Sequence, residues 1–339
     1  MNRKHLIRLC FILLIISIGC DDQGEQNTLP QDGYYAFGRH SGSAVYWKDG
    51  KGIDVDGYTL NFGGAAVSGR DVYAIGYVND HETYRGAAYW KNGKMFKLSN
   101  GTQIQVPTAI AFAGSDMYIA GYEEVGDKSI PIYWKNGERH LLPGKEVFLR
   151  PTAIAVSGAD VHIVGMAINK IQNADSILIA YWKNDERIKV TPTASREMID
   201  DIAVSGDDVY FAGHTFETEY RPRAKVWKNS VATVLTDGSN LSYATEVEVN
   251  GNDVYLAGKV GIRAVYWKNA VMAPLETGAE EGSDVTGLAV VRDQLIISGK
   301  NYDAGYAYSG SFVWRDGQLL EPFTGNGVDS IIDCIAPVQ

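Results

Sequence analysis

All seven tryptophans of the chain stand in one recurring phrase: VYWKDG from Val45, AYWKNG from Ala88, IYWKNG from Ile132, AYWKND from Ala180, KVWKNS from Lys225, VYWKNA from Val265 and FVWRDG from Phe312. Successive tryptophans, Trp47 to Trp314, are 43, 44, 48, 45, 40 and 47 residues apart. A period of roughly 40 to 50 residues built from strand-like runs marks propeller blades. Period-two alternation and frequent turns exclude helical repeats.

Each period carries four strand-like runs, A to D. Around Trp182 they are PTAIAVSG from Pro151, DVHIVG from Asp160, ILIAYWKN from Ile177 and RIKVTP from Arg187. Ser-Gly-x-Asp separates A from B, and Asn-Gly or a relative separates C from D, a dipeptide that tolerates the positive φ of a tight hairpin. Strand B ends on a glycine in every unit, at Gly38, Gly76, Gly121, Gly165, Gly213, Gly258 and Gly299. The first unit, GYYAFG from Gly33, starts at strand B and lacks an A strand. The chain ends with a lone apolar run, SIIDCIAPV, and the tryptophan-to-turn offset of other units makes Ile332 to Pro337 the missing strand A. The expected architecture is therefore all-β: a seven-bladed β-propeller with four antiparallel strands per blade, closed by the C-terminal strand joining the N-terminal blade. It spans residues 33–339 as one domain. Such closure leaves no long open sheet edge.

One indole per blade fits a repeated packing problem, the wedge between neighbouring sheets. A ring of exposed tryptophans stacking on sugars is the alternative. Tyr46, Tyr89, Tyr133, Tyr181 and Tyr266, and Tyr73, Tyr118, Tyr210 and Tyr255 of strand B, fall under the same framework reading. Asp71, Asp116, Asp160, Asp208 and Asp253 sit beside the A-to-B turns, where a carboxylate can accept backbone N–H groups. One carboxylate per blade does not make a calcium site.

Function should lie where the units differ. From the strand B glycine to the next tryptophan the distances are 9, 14, 13, 17, 14, 9 and 15 residues, so length variation concentrates between strands B and C. In a propeller these connections share one face with the D-to-A loops, and loops on a rigid scaffold carry binding. The expected ligand-binding residues there are His40, His81, Tyr84, Arg85, His214, Tyr220, Arg221, Tyr302 and Tyr306, a mixture of aromatic and charged groups suited to glycans or polar polymers. A second set comes from strand A. A 19-residue offset from the tryptophan gives alanine at Ala109 and Ala153 but acid at Asp201, Glu246 and Asp333, with Glu248 further along. Acids near the axis could line a channel and meet a cation, an amine or water, and burying them without a partner is costly.

The first residues, MNRKHLIRLC, are basic, and an apolar run of about ten residues follows, too short to span a bilayer. Ser17-Ile18-Gly19-Cys20 resembles the lipobox of bacterial lipoproteins, although Ser17 departs from the usual leucine. The resemblance implies a signal peptide over 1–19, acylation of Cys20, and a flexible tether over 20–32, DDQGEQNTLPQD being polar and acidic. It implies a lipid-anchored protein of the bacterial cell envelope, at the outer membrane or cell surface. Cys10 then leaves with the signal and Cys334 alone remains in the domain, so no intrachain disulfide is expected. Loss of Arg3, Lys4 and Arg8 takes the formal charge from −10 to −13. Such acidity disfavours nucleic acid and anionic membrane surfaces, leaving the N-terminal lipid as the only expected membrane contact. A monomer is expected.

No nucleophile elbow, P-loop, His-Glu-x-x-His or dinucleotide fingerprint is present, and the scattered histidines do not make a metal site. No cofactor or metal is expected. The consensus AVSG-x-DVY-x-AGY, then A-x-YWKNG and L-x-x-G, resembles propeller-type repeats of bacterial surface lipoproteins and, more distantly, HAF-type extracellular repeats. That resemblance covers 33–338 and implies the fold without an activity. Two functions stay open: a surface-tethered binding or scaffolding module for a glycan or protein, and a polysaccharide lyase or hydrolase using Asp201 and Glu246.

Overall fold

The computed structural model describes residues 30, 33–57, 59–80, 84–171, 174–190, 196–216, 221–277, 282–305, 307–320 and 330–338; those residues form 28 strands and no helix. The first three strands are β1 (Tyr34–His40), β2 (Ser43–Lys48) and β3 (Lys51–Asp54). A set of four follows: β4 (Thr59–Ser68), β5 (Asp71–Asp80), β6 (Tyr84–Lys91) and β7 (Lys94–Lys97). The next two sets are β8 (Ile104–Ala113), β9 (Asp116–Val125), β10 (Lys128–Lys135) and β11 (Glu138–Leu141), then β12 (Phe148–Ser157), β13 (Asp160–Ile171), β14 (Ala174–Lys183) and β15 (Glu186–Ile188). After them come β16 (Glu197–Ser205), β17 (Asp208–Phe216), β18 (Pro222–Lys228) and β19 (Val231–Val234). The last full sets are β20 (Ser242–Asn250), β21 (Asp253–Val260), β22 (Arg263–Lys268) and β23 (Val271–Pro274), and β24 (Gly282–Val291), β25 (Gln294–Tyr302), β26 (Tyr308–Arg315) and β27 (Gln318–Leu320). The chain closes with β28 (Ser330–Pro337).

Every set is an antiparallel meander, and β28 pairs with β1 to give the order β28-β1-β2-β3. Five sheets have four strands; the sixth has eight, because the β8–β11 and β12–β15 sets touch through one parallel pair, Ser129 with Phe148. This is a propeller-type β repeat.

All seven tryptophans are buried, at 0 to 5% exposure. Each indole packs against the preceding set. Trp134 lies on Ile75 and Ala87, Trp182 on Tyr118 and Ala120, and Trp267 on Ala203 and Ala212. Trp47, on the first sheet, packs with Ala289, Ile296 and Val313 of the β24–β27 sheet. Seven apolar clusters thus fill the spaces between sheets.

The rest of the phrase has a second task. Asn92, Asn136, Asn184, Asn229 and Asn269 adopt φ of 48 to 51°, which turns the hairpin after the third strand. Their Oδ1 accepts the N–H of Val72, Met117, Val161, Val209 and Val254 at 2.8 to 2.9 Å. Their Nδ2 donates to Asp71, Asp116, Asp160, Asp208 and Asp253 at 2.6 to 2.9 Å. The preceding lysine binds the other oxygen of the same aspartate, at 2.7 Å in four copies and 3.3 Å for Lys135 and Asp116. This corrects the expectation for these aspartates: they take side-chain donors, and the asparagine takes the backbone N–H.

The glycine ending the second strand answers a close approach. A Cβ at Gly165 would overlap the carbonyl oxygen of Arg150, and at Gly121 that of Val106. The first strand kinks there. A β-bulge shifts the register between Pro107 and Ala109, Pro151 and Ala153, Ile199 and Asp201, Ala244 and Glu246, and Val285 and Gly287. In β28 the shift leaves Asp333 as the extra residue, since Cys334 pairs with Phe37 and Ile332 with Gly38.

Candidate functional site: an acidic axial cavity

The bulges build the site. A bulge adds one residue to the strand and re-aims its neighbours. The extra residues Gly63, Thr108, Thr152, Asp200, Thr245, Thr286 and Asp333 all line one cavity of about 360 Å³, as do Ala109, Ala153, Asp201, Glu246 and Cys334 next to them. The walls come from seven strands, β4, β8, β12, β16, β20, β24 and β28, each the innermost of its set. A second cavity of about 590 Å³ shares Ala65, Ile110 and Ile154 with the first and continues toward the first-to-second-strand turns, where Glu248 lines it.

The expected equivalence of the three axial acids needs correction. Asp201 and Glu246 follow the bulge and pair with Ala212 and Ala257, but Asp333 is the bulge residue itself and corresponds to Asp200. The last unit has one more residue between its tryptophan and bulge, and a fixed 19-residue offset therefore slips by one. Asp200 was missed; the doublet Asp200-Asp201 and the recurring threonine before the small residue were the available signals.

These acids live in different environments. Asp200 Oδ2 is 3.1 Å from His214 Nδ1. Asp333 accepts from Lys300 Nζ at 2.9 Å and from the Phe62 N–H at 3.3 Å. Asp201 Oδ2 accepts the Val247 N–H of the neighbouring strand at 2.9 Å. Burial nonetheless pushes Asp201 up to about 6, with Asp200 adding to it and the Val247 and Ile202 N–H groups opposing. Glu246 has no hydrogen-bond partner among the described residues, and burial, then Asp201 and Asp200, raise its carboxyl well above the ordinary value. Burial and the charge of Asp201 push Glu248 up to about 7. Burial, Asp333 and Glu246 also raise the Cys334 thiol, which is free. Among the described residues no group of three or more His, Cys, Asp or Glu converges as a metal site.

The residues expected on second-to-third-strand loops are redistributed. Length variation appears as longer paired ribbons: β1 and β2 share six register pairs, β13 and β14 ten. Paired strands satisfy backbone groups that an irregular loop would leave to water. His40 therefore ends β1, with Nδ1 2.9 Å from Ser330 Oγ. Tyr84 and Arg85 begin β6, with Arg85 exposed. His214 lies within β17 at 5% exposure, edge-on to Tyr243 and behind Asp200, so it is not a loop residue. Tyr302 ends β25, half-buried, and burial followed by Asp284 raises its hydroxyl pKa; Arg221 is exposed just before β18. His81, Tyr220, Tyr306 and Cys20 lie outside the described residues. Among the described residues of the expected set, Asp201, Glu246 and Asp333 line the cavity together.

No family model and no curated protein matches this chain. Solved structures share the fold. The β-propeller domain of the Trilobed protease from Pyrococcus furiosus, described as having an open velcro topology, superposes with a TM-score of 0.51 at 12% identity over 83% of this chain and 89% of that one. A puromycin-hydrolyzing peptidase of Mycobacterium tuberculosis gives 0.51 at 10% identity, over 90% of this chain and 57% of that one. The acylaminoacyl peptidase of Pyrococcus horikoshii gives 0.51 at 13% identity, over 83% and 48%. The chain spans most of the first of these and about half the length of the two peptidases.

Proposed function

We propose that the chain is a lipid-anchored, extracytoplasmic binding module: a seven-bladed propeller closed by β28 that receives a glycan or protein ligand at the face carrying the second-to-third-strand ribbons. Seven four-stranded sets with seven wedge clusters, one of them joining the first sheet to the β24–β27 sheet, support the closed ring. The observation that carries the binding reading is the polar cavity at the bulges. It lies toward the ribbon end of the inner strands, because Phe148 to Pro151, leading into the bulge, pair with Ile168 to Gly165 before the ribbon. Cavities of this size are where small ligands or protruding groups of larger ones seat. Among the described residues no lining thiol or hydroxyl is hydrogen-bonded to a base.

A second reading, a polysaccharide lyase or hydrolase, is favoured by one feature: Asp201 and Glu246 sit on neighbouring strands with raised pKa values, as general acids require. Glycan and protein arrays probed with the full chain separate the two. Saturable binding without product supports the module; product formation abolished in Asp201→Asn and Glu246→Gln supports the enzyme. Incorporation of labelled fatty acid, lost in Cys20→Ala, tests the anchor.

A further inference from the structure

We propose that the axial cavity receives a protonated organic amine, with the Glu246 and Asp201 carboxylates as its counter-ions. The inference rests on the binding reading and names the chemical group that enters the cavity. Three observations lead to it.

The wall offers acceptors and few donors. Thr108 and Thr245 give their hydroxyl hydrogens to the carbonyl oxygens of Ala120 and Ala257, at 3.2 and 3.4 Å, and Thr152 gives its own to Ile199 at 3.1 Å. A threonine has one hydroxyl hydrogen, so these three retain only lone pairs for an occupant.

Negative charge at the axis is not balanced from within. The nearby lysine is already engaged, Lys300 with Asp333, and the His214 ring nitrogen faces Asp200. Glu246 stands apart from every other acid here. Its side chain is half-buried, borders the cavity and has no hydrogen-bond partner among the described residues. A buried carboxyl kept without a partner is expensive unless something supplies one.

The geometry selects the kind of cation. A metal ion is held by several converging ligands, and no group of three or more His, Cys, Asp or Glu converges so among the described residues. An ammonium head needs one or two carboxylates and scattered hydroxyl acceptors. The opposite wall, Gly63, Gly64, Ala109 and Ala153, is small and leaves room for its carbon chain.

Proton linkage gives a signature. Asp201 and Glu246 hold protons more tightly than free carboxyls. A bound ammonium favours their ionised forms, so protons leave on binding and affinity falls as pH falls. The facing titratable and charged groups are Asp200 with His214, Asp333 with Lys300, and, beyond Ile110 and Ile154, Glu248.

The test is calorimetry on the full chain with 1,5-diaminopentane, 1,5-pentanediol and calcium, at pH 8 and pH 5.5, in two buffers of different ionisation enthalpy. We expect the diamine alone to bind, with proton release, at least tenfold more weakly at pH 5.5, and at least tenfold more weakly to Glu246→Gln at pH 8. Thr245→Val should weaken binding several-fold and provides a second variant if Glu246→Gln fails to fold. Absence of diamine binding at pH 8, equal binding of the diol, equal or tighter binding of calcium, or undiminished affinity in a folded Glu246→Gln protein each overturns the proposal. If an array ligand binds equally well to wild type and Glu246→Gln and is not displaced by diamine, the module reading stands and the amine inference fails. If the diamine binds as expected and no array ligand exists, the reverse holds.

Discussion

Asp116 and Glu246 are both carboxylates on strands of the same repeat, one beside a first-to-second-strand turn and one in the cavity lined by the first strands, and their surroundings push them in opposite directions. Asp116 is bound by Asn136 and Lys135, which hold its carboxyl below the ordinary range. Lys183 and Asn184 do the same for Asp160, Lys228 and Asn229 for Asp208, and Lys268 and Asn269 for Asp253. At Asp71 burial opposes the shift, but Lys91 and Asn92 prevail. Burial raises Glu246, Asp201 and Glu248 instead, and none of them has an ion-pair partner among the described residues. The repeated turn carboxylates are internally paired; Glu246, written once, has no hydrogen-bond partner among the described residues. Satisfied groups secure the fold, whereas unsatisfied ones weaken it and are retained where a ligand can complete them.

Substitutions in the repeated framework should destabilise, most of all at the wedges. Trp134→Ala should lose ~3 to 5 kcal/mol in urea unfolding, since the indole is fully buried against the preceding sheet. Gly165→Ala should cost ~3 kcal/mol by forcing β12 away from β13 at the bulge.

Axial substitutions should go the other way. A carboxyl whose folded pKa is raised binds protons better in the folded state, so its contribution falls as pH rises. For Asp201 and Glu248 the loss runs from their unfolded values near 4 up to about 6 and about 7. The wild type should therefore melt at a lower temperature at pH 8 than at pH 5.5. Asp201→Asn combined with Glu248→Gln should remove part of that slope, Glu246 keeping its own share, and gain on the order of 3 kcal/mol at pH 8. Equal loss of stability at both pH values would place these acids in the framework after all. The rim triads have the mildest test. Asn136→Ala should cost ~1 kcal/mol by leaving the Met117 N–H without its acceptor, as hydrogen exchange at that amide would report.

The strand pattern and the indole positions were legible because each is local and written many times; the pairing of β28 with β1 was legible because the first unit lacks a first strand and the last apolar run supplies one. A tryptophan beside an Asn-Gly turn recurring about every 45 residues admits few packings. Rim chemistry was half legible: Asp71 and its equivalents were visible, but their lysine and asparagine partners lie 15 to 24 residues away, across the sheet. The ribbon lengths were misjudged, since polar residues such as Asn169 and Lys170 look like loop yet continue a ladder.

By itself the sequence determined which residues recur, and hence a fold of stacked four-stranded sheets with an indole in each wedge. The tertiary structure alone decided which acids meet. A bulge inserts one residue into the innermost strand of a set, and side chains alternate with a period of two, so a slip of one changes what faces the axis. That step puts Asp200 and Asp333 at one level and Asp201 beside Glu246 at the next, an arrangement set by the pairing within each set and by the packing of first strands about 45 residues apart, where Asp201 reaches the Val247 N–H.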